Sequence, residues 1–265
     1  MFKWYGYLGI IFILLGELLM FYRIEPFSTY LFFLLLWVGY IFVIDAFVRL
    51  RKGTSRLTSP QDFWLLFLYS AIFWWFYELL NIFVQNWRYE GVGEPVWLMF
   101  TLAFSTVLPA VLETSDLLSS FSFFNRFKFK MKITSRKISF FVLIGLLCLI
   151  LPFVLPIYTY PLVWVSMFFL LDPINYLNKG TSILAEFKKG KAKLFLTLMF
   201  GSLICGFLWE FWNYWAPAKW YYDVPFVGMW KIFEMPILGF LGYLPFGLSL
   251  FALYQFTLTL MEKNK

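Results

Sequence analysis

Apolar residues in this chain gather into blocks of about 17 to 25 residues, the length that spans the hydrocarbon core of a bilayer as an α-helix. The blocks run apolar without the strict alternation of polar and apolar residues that is typical of a membrane barrel strand. Of the 265 residues, 62% are hydrophobic and only 14% are charged, so the chain lacks the polar surface of a soluble domain. The sequence therefore predicts an all-α integral membrane protein.

The apolar blocks predict eight transmembrane helices. We expect them at about residues 4–22, 27–48, 63–84, 96–118, 139–157, 162–178, 194–215 and 230–260. The first block follows a lone Lys3 and precedes no small-residue cleavage site, so we expect a retained helix and not a removed signal peptide. A start-transfer anchor of the same orientation is the alternative.

The basic residues predict the orientation, because lysine and arginine collect on the side of a membrane that is not translocated. With eight spans, all of the 22 basic residues except Arg23, Arg88, Lys219 and Lys231 fall on one face, including those of the tail, Lys263 and Lys265. We therefore expect a protein of the plasma or inner membrane with both termini in the cytoplasm. The net charge of +7 follows from this topology, and no feature indicates nucleic-acid binding.

A short phrase occurs twice in the chain. Asp45 and, later, Asp172 are each followed after six residues by Lys-Gly-Thr-Ser, and both aspartates lie at the cytoplasmic end of a predicted span. This repetition predicts a duplication into two four-helix repeats, residues 1–130 and 131–265. Because each repeat has an even number of spans, the two copies are expected to be parallel. The phrase is typical of a helix end; a phosphate-binding loop is the alternative, but the glycine-rich spacing is lacking.

A second match lies in the third and seventh spans. In each, a glutamate is followed three residues later by an asparagine, and then by a tryptophan and a tyrosine beyond the span. The matched pairs are Glu78 and Glu210, Asn81 and Asn213, Trp87 and Trp220, and Tyr89 and Tyr222. An ionisable group at such a depth is expensive and is often functional. Interhelical hydrogen bonding without chemistry is the alternative interpretation.

The types of residue present restrict the chemistry. The chain has no histidine, and Cys148 and Cys205 lie singly in apolar blocks, so zinc, haem and thiol-relay sites lack their ligands. We expect no metal and no cofactor. Acid–base chemistry by carboxylate, tyrosine and lysine in an aromatic site remains. Burial of a carboxyl group in apolar surroundings favours the protonated form that a general acid needs.

The richer candidate site lies in the second repeat, because Glu234 enters the outer region there, whereas Glu113 of the first repeat lies deeper. We predict Glu210, Glu234 and Asn213 as catalytic residues. The predicted substrate-binding residues are Trp212, Trp220, Tyr221, Tyr222, Lys219, Glu78 and Asn81.

The segments WEFWNYWAPAKWYYDVPF and FEMPILGFLGYLPF resemble the lycopene cyclase domain and the related carotenoid hydratase group, small polytopic proteins of carotenoid biosynthesis. In the cyclase domain a proline precedes a pair of acids, whereas here the single Glu234 precedes Pro236. The resemblance covers about 50 C-terminal residues. It implies proton-initiated addition to an isoprenoid double bond, with Glu210 or Glu234 as the acid.

Three classes of function remain open from the sequence. The first is an enzyme acting on an isoprenoid or another membrane lipid in an aromatic pocket of the outer leaflet. The second is a transporter or channel, since buried acids and prolines within spans also occur in transporters. The third is a noncatalytic membrane scaffold, in which the aromatic residues form interfacial belts and the acids serve packing.

Overall fold

The structure is a computed structural model that describes residues 1–263, apart from the side chains of Gln61 and Lys263. In this part of the chain, eight helical segments are long and apolar enough to cross a membrane. They are Trp4–Phe21, Phe32–Lys52, Asp62–Val84, Val96–Ser119, Ser135–Val154, Pro156–Leu177, Lys193–Trp215 and Ile237–Glu262. The prediction of a multi-pass helical membrane protein is thus confirmed. Lys265 of the predicted cytoplasmic tail lies outside the described residues.

The spans are built from the following helices. In chain order they are α1 (Trp4–Phe21), α2 (Phe27–Tyr30), α3 (Phe32–Lys52), α4 (Pro60–Val84), α5 (Val96–Phe104), α6 (Val107–Ser119), α7 (Ser135–Val154), α8 (Pro156–Thr159), α9 (Val163–Leu177), α10 (Ile183–Lys188), α11 (Lys193–Trp215) and α12 (Tyr243–Lys263). Short 3₁₀ turns cover Arg56–Thr58, Ser122–Arg126, Tyr160–Leu162 and Ile237–Gly242. The fourth predicted span is therefore interrupted, between α5 and α6.

Four short strands correct the expectation of an all-α chain. Strands β1 (Trp87–Glu90) and β2 (Lys219–Tyr222) pair antiparallel, and so do β3 (Lys231–Ile232) and β4 (Met235–Pro236). The β3–β4 hairpin occupies residues that were assigned to the eighth span, so this span begins at Ile237 and not near 230. Strands of two to four residues are too short to show the alternating pattern on which a prediction depends.

Neighbouring helices approach closely where glycine allows it. A Cβ atom at Gly9 of α1 would lie 2.6 Å from the carbonyl oxygen of Gly39 in α3, and a Cβ at Gly39 would lie 2.7 Å from the carbonyl oxygen of Gly9. Such contacts leave no room for a side chain on either helix. Helix α7 packs on α9 and α9 on α12, while α6 and α11 lie against each other in the centre.

The bundle has two different ends. We call one of them the basic end. There, Lys52 of α3 donates to the hydroxyl of Ser119, the last residue of α6, and Arg51 donates to the hydroxyl of Ser120, the next residue. At the other, the strand end, β1 pairs with β2, and the hydroxyl of Tyr160 donates to the carbonyl oxygen of Pro225. The candidate acids of the third and seventh spans lie toward the strand end.

The repeated aspartates of the basic end bind backbone and side-chain donors that follow them in the chain. Asp45 accepts hydrogen bonds from Ser55 Oγ at 2.8 Å and from the backbone N–H of Leu57 at 3.0 Å. Asp172 accepts from the N–H groups of Ile183 and Leu184 at 2.7 and 2.9 Å. Each aspartate thus fastens the turn after Lys-Gly-Thr-Ser to the preceding helix. These contacts favour the structural interpretation of the repeated phrase.

Candidate active site

Two asparagines hold the strands of the first sheet against the spans that precede them. Asn213 of α11 donates from Nδ2 to the carbonyl oxygen of Trp220 and accepts from its N–H, both at 2.8 Å. Asn81 of α4 donates to the carbonyl oxygen of Trp87 at 2.8 Å and accepts from the N–H of Asn86 at 2.9 Å. Both side chains satisfy backbone groups near the membrane edge, so their function here is to position β1 and β2.

Glu210 lies one turn earlier on α11 and is fully buried. One of its oxygens, Oε1, accepts hydrogen bonds from the hydroxyls of Tyr222 and Tyr243, both at 2.6 Å. The indole N–H of Trp220 donates to the hydroxyl of Tyr222 at 2.8 Å. The other oxygen, Oε2, has no hydrogen-bond partner among the described residues. We call Glu210, Tyr222, Tyr243 and Trp220 the Glu210 cluster.

Glu78 of α4 is surrounded in a related way. Its Oε1 accepts from the hydroxyl of Tyr89 at 2.5 Å and from the indole N–H groups of Trp74 and Trp87 at 2.9 and 3.0 Å. We call these four residues the Glu78 cluster. In both clusters a strand tyrosine donates to a carboxylate on the span that precedes the strand.

The pairing of β1 with β2 brings the two clusters together. Trp87 lies opposite Tyr222, and Tyr89 lies opposite Trp220. Each tryptophan of one strand thus faces the tyrosine of the other, and the register is symmetric about the middle of the sheet. The two clusters therefore lie side by side at the strand end.

A cavity of about 460 Å³ lies between these clusters. Its aromatic wall is formed by residues from both halves of the chain, among them Trp74, Trp87, Tyr89, Trp164, Trp209, Trp220, Tyr222 and Tyr243. Apolar residues of the 3₁₀ turn Ile237–Gly242, such as Leu238 and Leu241, complete it. This size falls within the range of small-molecule sites, and the lining is suited to an apolar ligand. Glu78 and Glu210 stand behind the wall, and their tyrosine partners separate them from the cavity.

The strand tyrosines stay protonated at neutral pH. Desolvation, followed by the charge of Glu210, raises the pKa of Tyr222 well above its ordinary value. Desolvation and the charge of Glu78 raise the pKa of Tyr89 in the same direction. A neutral hydroxyl both donates and accepts hydrogen bonds. Each tyrosine is therefore able to pass a proton between its carboxylate and a ligand in the cavity.

Glu234, the second predicted acid, lies at the rim. Its Oε1 is 3.0 Å from Nζ of Lys219, which also lines the cavity. Desolvation alone lowers the pKa of Lys219, but the hydrogen bond and charge of Glu234 outweigh it, so this pKa is raised. The two residues form an ion pair at the first residue of β2, Lys219. No direct hydrogen bond joins Glu234 to Glu210 in the described part of the chain.

Besides Glu78 and Asn81, two more of the predicted substrate-binding residues do not line the cavity. Trp212 is buried against Trp37, with its indole N–H donating to Glu17 of α1 at 3.4 Å. Tyr221 points to the basic side chains of Arg88 and Lys219. Neither is among the described residues that line the cavity. Both residues pack at the strand end, outside the cavity wall.

Three residues of the cavity wall, Tyr243, Trp74 and Trp164, were not predicted from the sequence. Tyr243 begins α12, and only the folded chain brings it to Glu210. A signal for Trp74 was present, because it lies four residues before Glu78, on the same helix face. The corresponding position before Glu210 is Gly206, where a Cβ atom would collide with the ring of Tyr243. Thus the ring of Tyr243 occupies the space that a side chain at position 206 would need.

The described residues contain no group of three or more histidine, cysteine, aspartate or glutamate side chains placed to hold a metal ion. No family model, no curated protein and no solved structure matches this chain.

Proposed function

We propose that this protein is an integral-membrane enzyme that takes an apolar isoprenoid lipid into the cavity at the strand end and protonates it. The observation that carries the proposal is the Glu210 cluster, in which a fully buried carboxylate bonds two tyrosine hydroxyls that line an aromatic cavity. A hydrocarbon ligand gains free energy from the apolar wall, and the aromatic faces stabilise a cation.

The proposed step uses the hydroxyl as a relay. When Glu210 carries a proton, it donates to the oxygen of Tyr222, and the hydroxyl hydrogen is free to turn toward the cavity. A C–H bond then forms between an alkene carbon and this hydrogen, while the π bond breaks. The proton of Glu210 moves to the tyrosine oxygen. A carbocation is left on the lipid and a negative charge on Glu210, so charge and atoms balance.

Identification of the bound lipid tests the substrate class. The protein would be purified in mild detergent, and the lipids that remain with it would be extracted and analysed by mass spectrometry. Gly242→Leu adds a side chain to a residue of the cavity wall, while Gly228→Leu adds the same side chain in an exposed loop. We expect a polyprenoid that Gly242→Leu loses and Gly228→Leu retains. Equal lipid content in both variants, or ion flux through the protein in liposomes, would argue against the proposal.

We also propose that the two halves, 1–130 and 131–265, are parallel four-helix repeats. Two observations support this: the Glu-x-x-Asn pairs make corresponding contacts, and the sheet register is symmetric about its middle, with Trp87 opposite Tyr222 and Tyr89 opposite Trp220. In this arrangement the cavity lies at the interface of the repeats. The matched asparagine variants described in the Discussion test whether the two positions have the same function.

The orientation completes the proposal, with the basic end in the cytoplasm and the cavity in the outer leaflet. In a background without Cys148 and Cys205, single cysteines would be placed at the exposed Thr54 and Thr181 and at Ala218. We expect a membrane-impermeant thiol reagent to label position 218 in intact cells and to label positions 54 and 181 only after lysis. The reverse pattern would place the cavity in the cytoplasmic leaflet.

A further inference from the structure

A second cavity, of about 360 Å³, lies at the basic end. The end of α6, the start of α11 and the segments before α7 and after α10 surround it. Its polar lining consists of Ser115, Asp116, Ser119, Asn125, Lys128, Glu186, Lys191, Lys193 and Thr197. We call this the lysine cavity. The proposed isoprenoid site does not include it, because the two lie at opposite ends of α11.

The two acidic residues of the lysine cavity are already paired with basic residues that lie outside it. Asp116 Oδ2 is 2.7 Å from Nε of Arg56, and Oδ1 is 3.6 Å from Nζ of Lys52. Glu186 is 2.6 Å from Nζ of Lys189. These cations compensate the carboxylates. The charge that faces the cavity is therefore positive.

The three lysines that line the cavity keep most of their hydrogen-bonding capacity. No salt bridge within the described part of the chain involves Lys128, Lys191 or Lys193. Lys193 donates to Asn125 Oδ1 at 2.8 Å, and an ammonium group has three donors, so two of them remain. Like charges placed together repel each other unless an anion compensates them.

The base of the cavity is polar and ordered. The buried hydroxyl of Ser115 donates to Thr197 Oγ1 at 3.0 Å, and Ser119 Oγ accepts from Lys52 at 2.7 Å. The first turn of α11 starts at Lys193 without a side-chain cap, which adds the positive end of a helix of 23 residues to the field of the lysines. Hydroxyls, ammonium groups and backbone amides are the donors that phosphate oxygens accept in proteins.

We propose that the lysine cavity binds a phosphate group. The carrier is either the headgroup of an anionic phospholipid in the adjacent leaflet or a soluble phosphate compound, since both present the same oxygens. The site is independent of the isoprenoid cavity, which lies roughly 30 Å away at the other end of α11. Failure of one proposal therefore leaves the other untouched.

The test compares two double variants of the full chain in detergent. Lys128→Gln with Lys191→Gln removes two charges from the cavity and keeps the bond between Lys193 and Asn125. Lys130→Gln with Lys132→Gln removes the same charge from neighbouring residues that do not line it. Two probes are used: inorganic pyrophosphate, titrated calorimetrically, and phosphatidylglycerol, measured by its retention in native mass spectrometry against phosphatidylcholine. The single variant Lys191→Gln replaces the double variant if the latter unfolds at a lower temperature.

We expect the cavity variant to bind one of the probes at least tenfold more weakly than the wild type, while the control variant binds as the wild type does. Loss of pyrophosphate binding alone would identify a soluble phosphate compound as the ligand. Loss of phosphatidylglycerol alone would identify the headgroup. If both variants bind both probes equally, or if neither probe binds the wild type, the proposal is wrong.

Discussion

The Glu78 and Glu210 clusters share a plan but differ in their donors. In each, an asparagine fixes the strand, and a strand tyrosine donates to the glutamate three residues before that asparagine. The remaining donors to Glu78 are two indoles, whereas the remaining donor to Glu210 is the hydroxyl of Tyr243. An indole N–H only donates, while a hydroxyl donates and accepts. Proton transfer is therefore better supported around Glu210.

The two clusters also differ in which residue occupies the space one helical turn before the glutamate. Trp74 supplies its own indole to Glu78 from the preceding turn, while Gly206 leaves the corresponding space to Tyr243 of α12. The Glu78 cluster is thus closed by residues of α4 and β1, whereas the Glu210 cluster also depends on the last helix. In addition, Glu210 is fully buried together with its unpartnered oxygen Oε2, whereas Glu78 is only partly buried. Within the proposed function, we therefore assign the reactive carboxyl group to Glu210 and a supporting one to Glu78.

The largest effect is expected from removing the proton of each acid. Glu210→Gln keeps the shape of the side chain and cannot donate a carboxyl proton, so we expect turnover of the isoprenoid recovered from the protein to fall by at least about 100-fold. Glu78→Gln, the matched control, should lower turnover by less than about tenfold. Product formation in single-turnover reactions measures both. Equal losses would remove the distinction between the clusters, and unchanged turnover in Glu210→Gln would end its assignment as the acid.

The next effect concerns the space at position 206. Gly206→Ala places a Cβ atom against the ring of Tyr243, which must move away from Glu210 or push α12 outward. We expect the free energy of unfolding to fall by up to about 3 kcal/mol, as in other overpacked interiors. Thermal unfolding in detergent measures this loss. In the double variant Gly206→Ala, Tyr243→Ala the penalty of the added methyl should vanish, and a persistent penalty would place the strain elsewhere.

Part of this arrangement could be predicted from the sequence and part could not. The spans follow from composition, and the Glu-x-x-Asn pairs are local patterns that the chain repeats. Tyr243 and the pairing of β1 with β2 are contacts between distant segments, and no local pattern encodes them. Glu234 and Lys219 were both predicted as site residues, but the sequence did not predict that they form an ion pair with each other.

The asparagines should behave alike if the two halves are repeats. Asn213→Ala leaves two backbone groups of Trp220 without partners, and Asn81→Ala does the same to groups of Trp87 and Asn86. Because unpaired buried polar groups are costly, we expect each variant to lose about 2 kcal/mol of stability. Chemical unfolding in mixed micelles measures these values, with Asn125→Ala, which removes one exposed hydrogen bond at the basic end, as a control outside both clusters. A loss confined to one variant would contradict equivalent functions for the two positions.

The smallest effect is expected at the rim. Side chains of Lys219 and Glu234 are 19% and 14% exposed, so their ion pair lies between a surface pair and a buried one, and Glu234→Gln should cost about 1 kcal/mol of stability. The amide still accepts a hydrogen bond from Lys219, so the rim keeps its shape. Turnover should then change by less than about threefold, which corresponds to under 1 kcal/mol in the barrier. If instead Glu234→Gln lowers turnover as far as Glu210→Gln does, Glu234 is an acid of the reaction, and the functional difference between the two clusters arises from the rim and not from the tyrosines of the cavity wall.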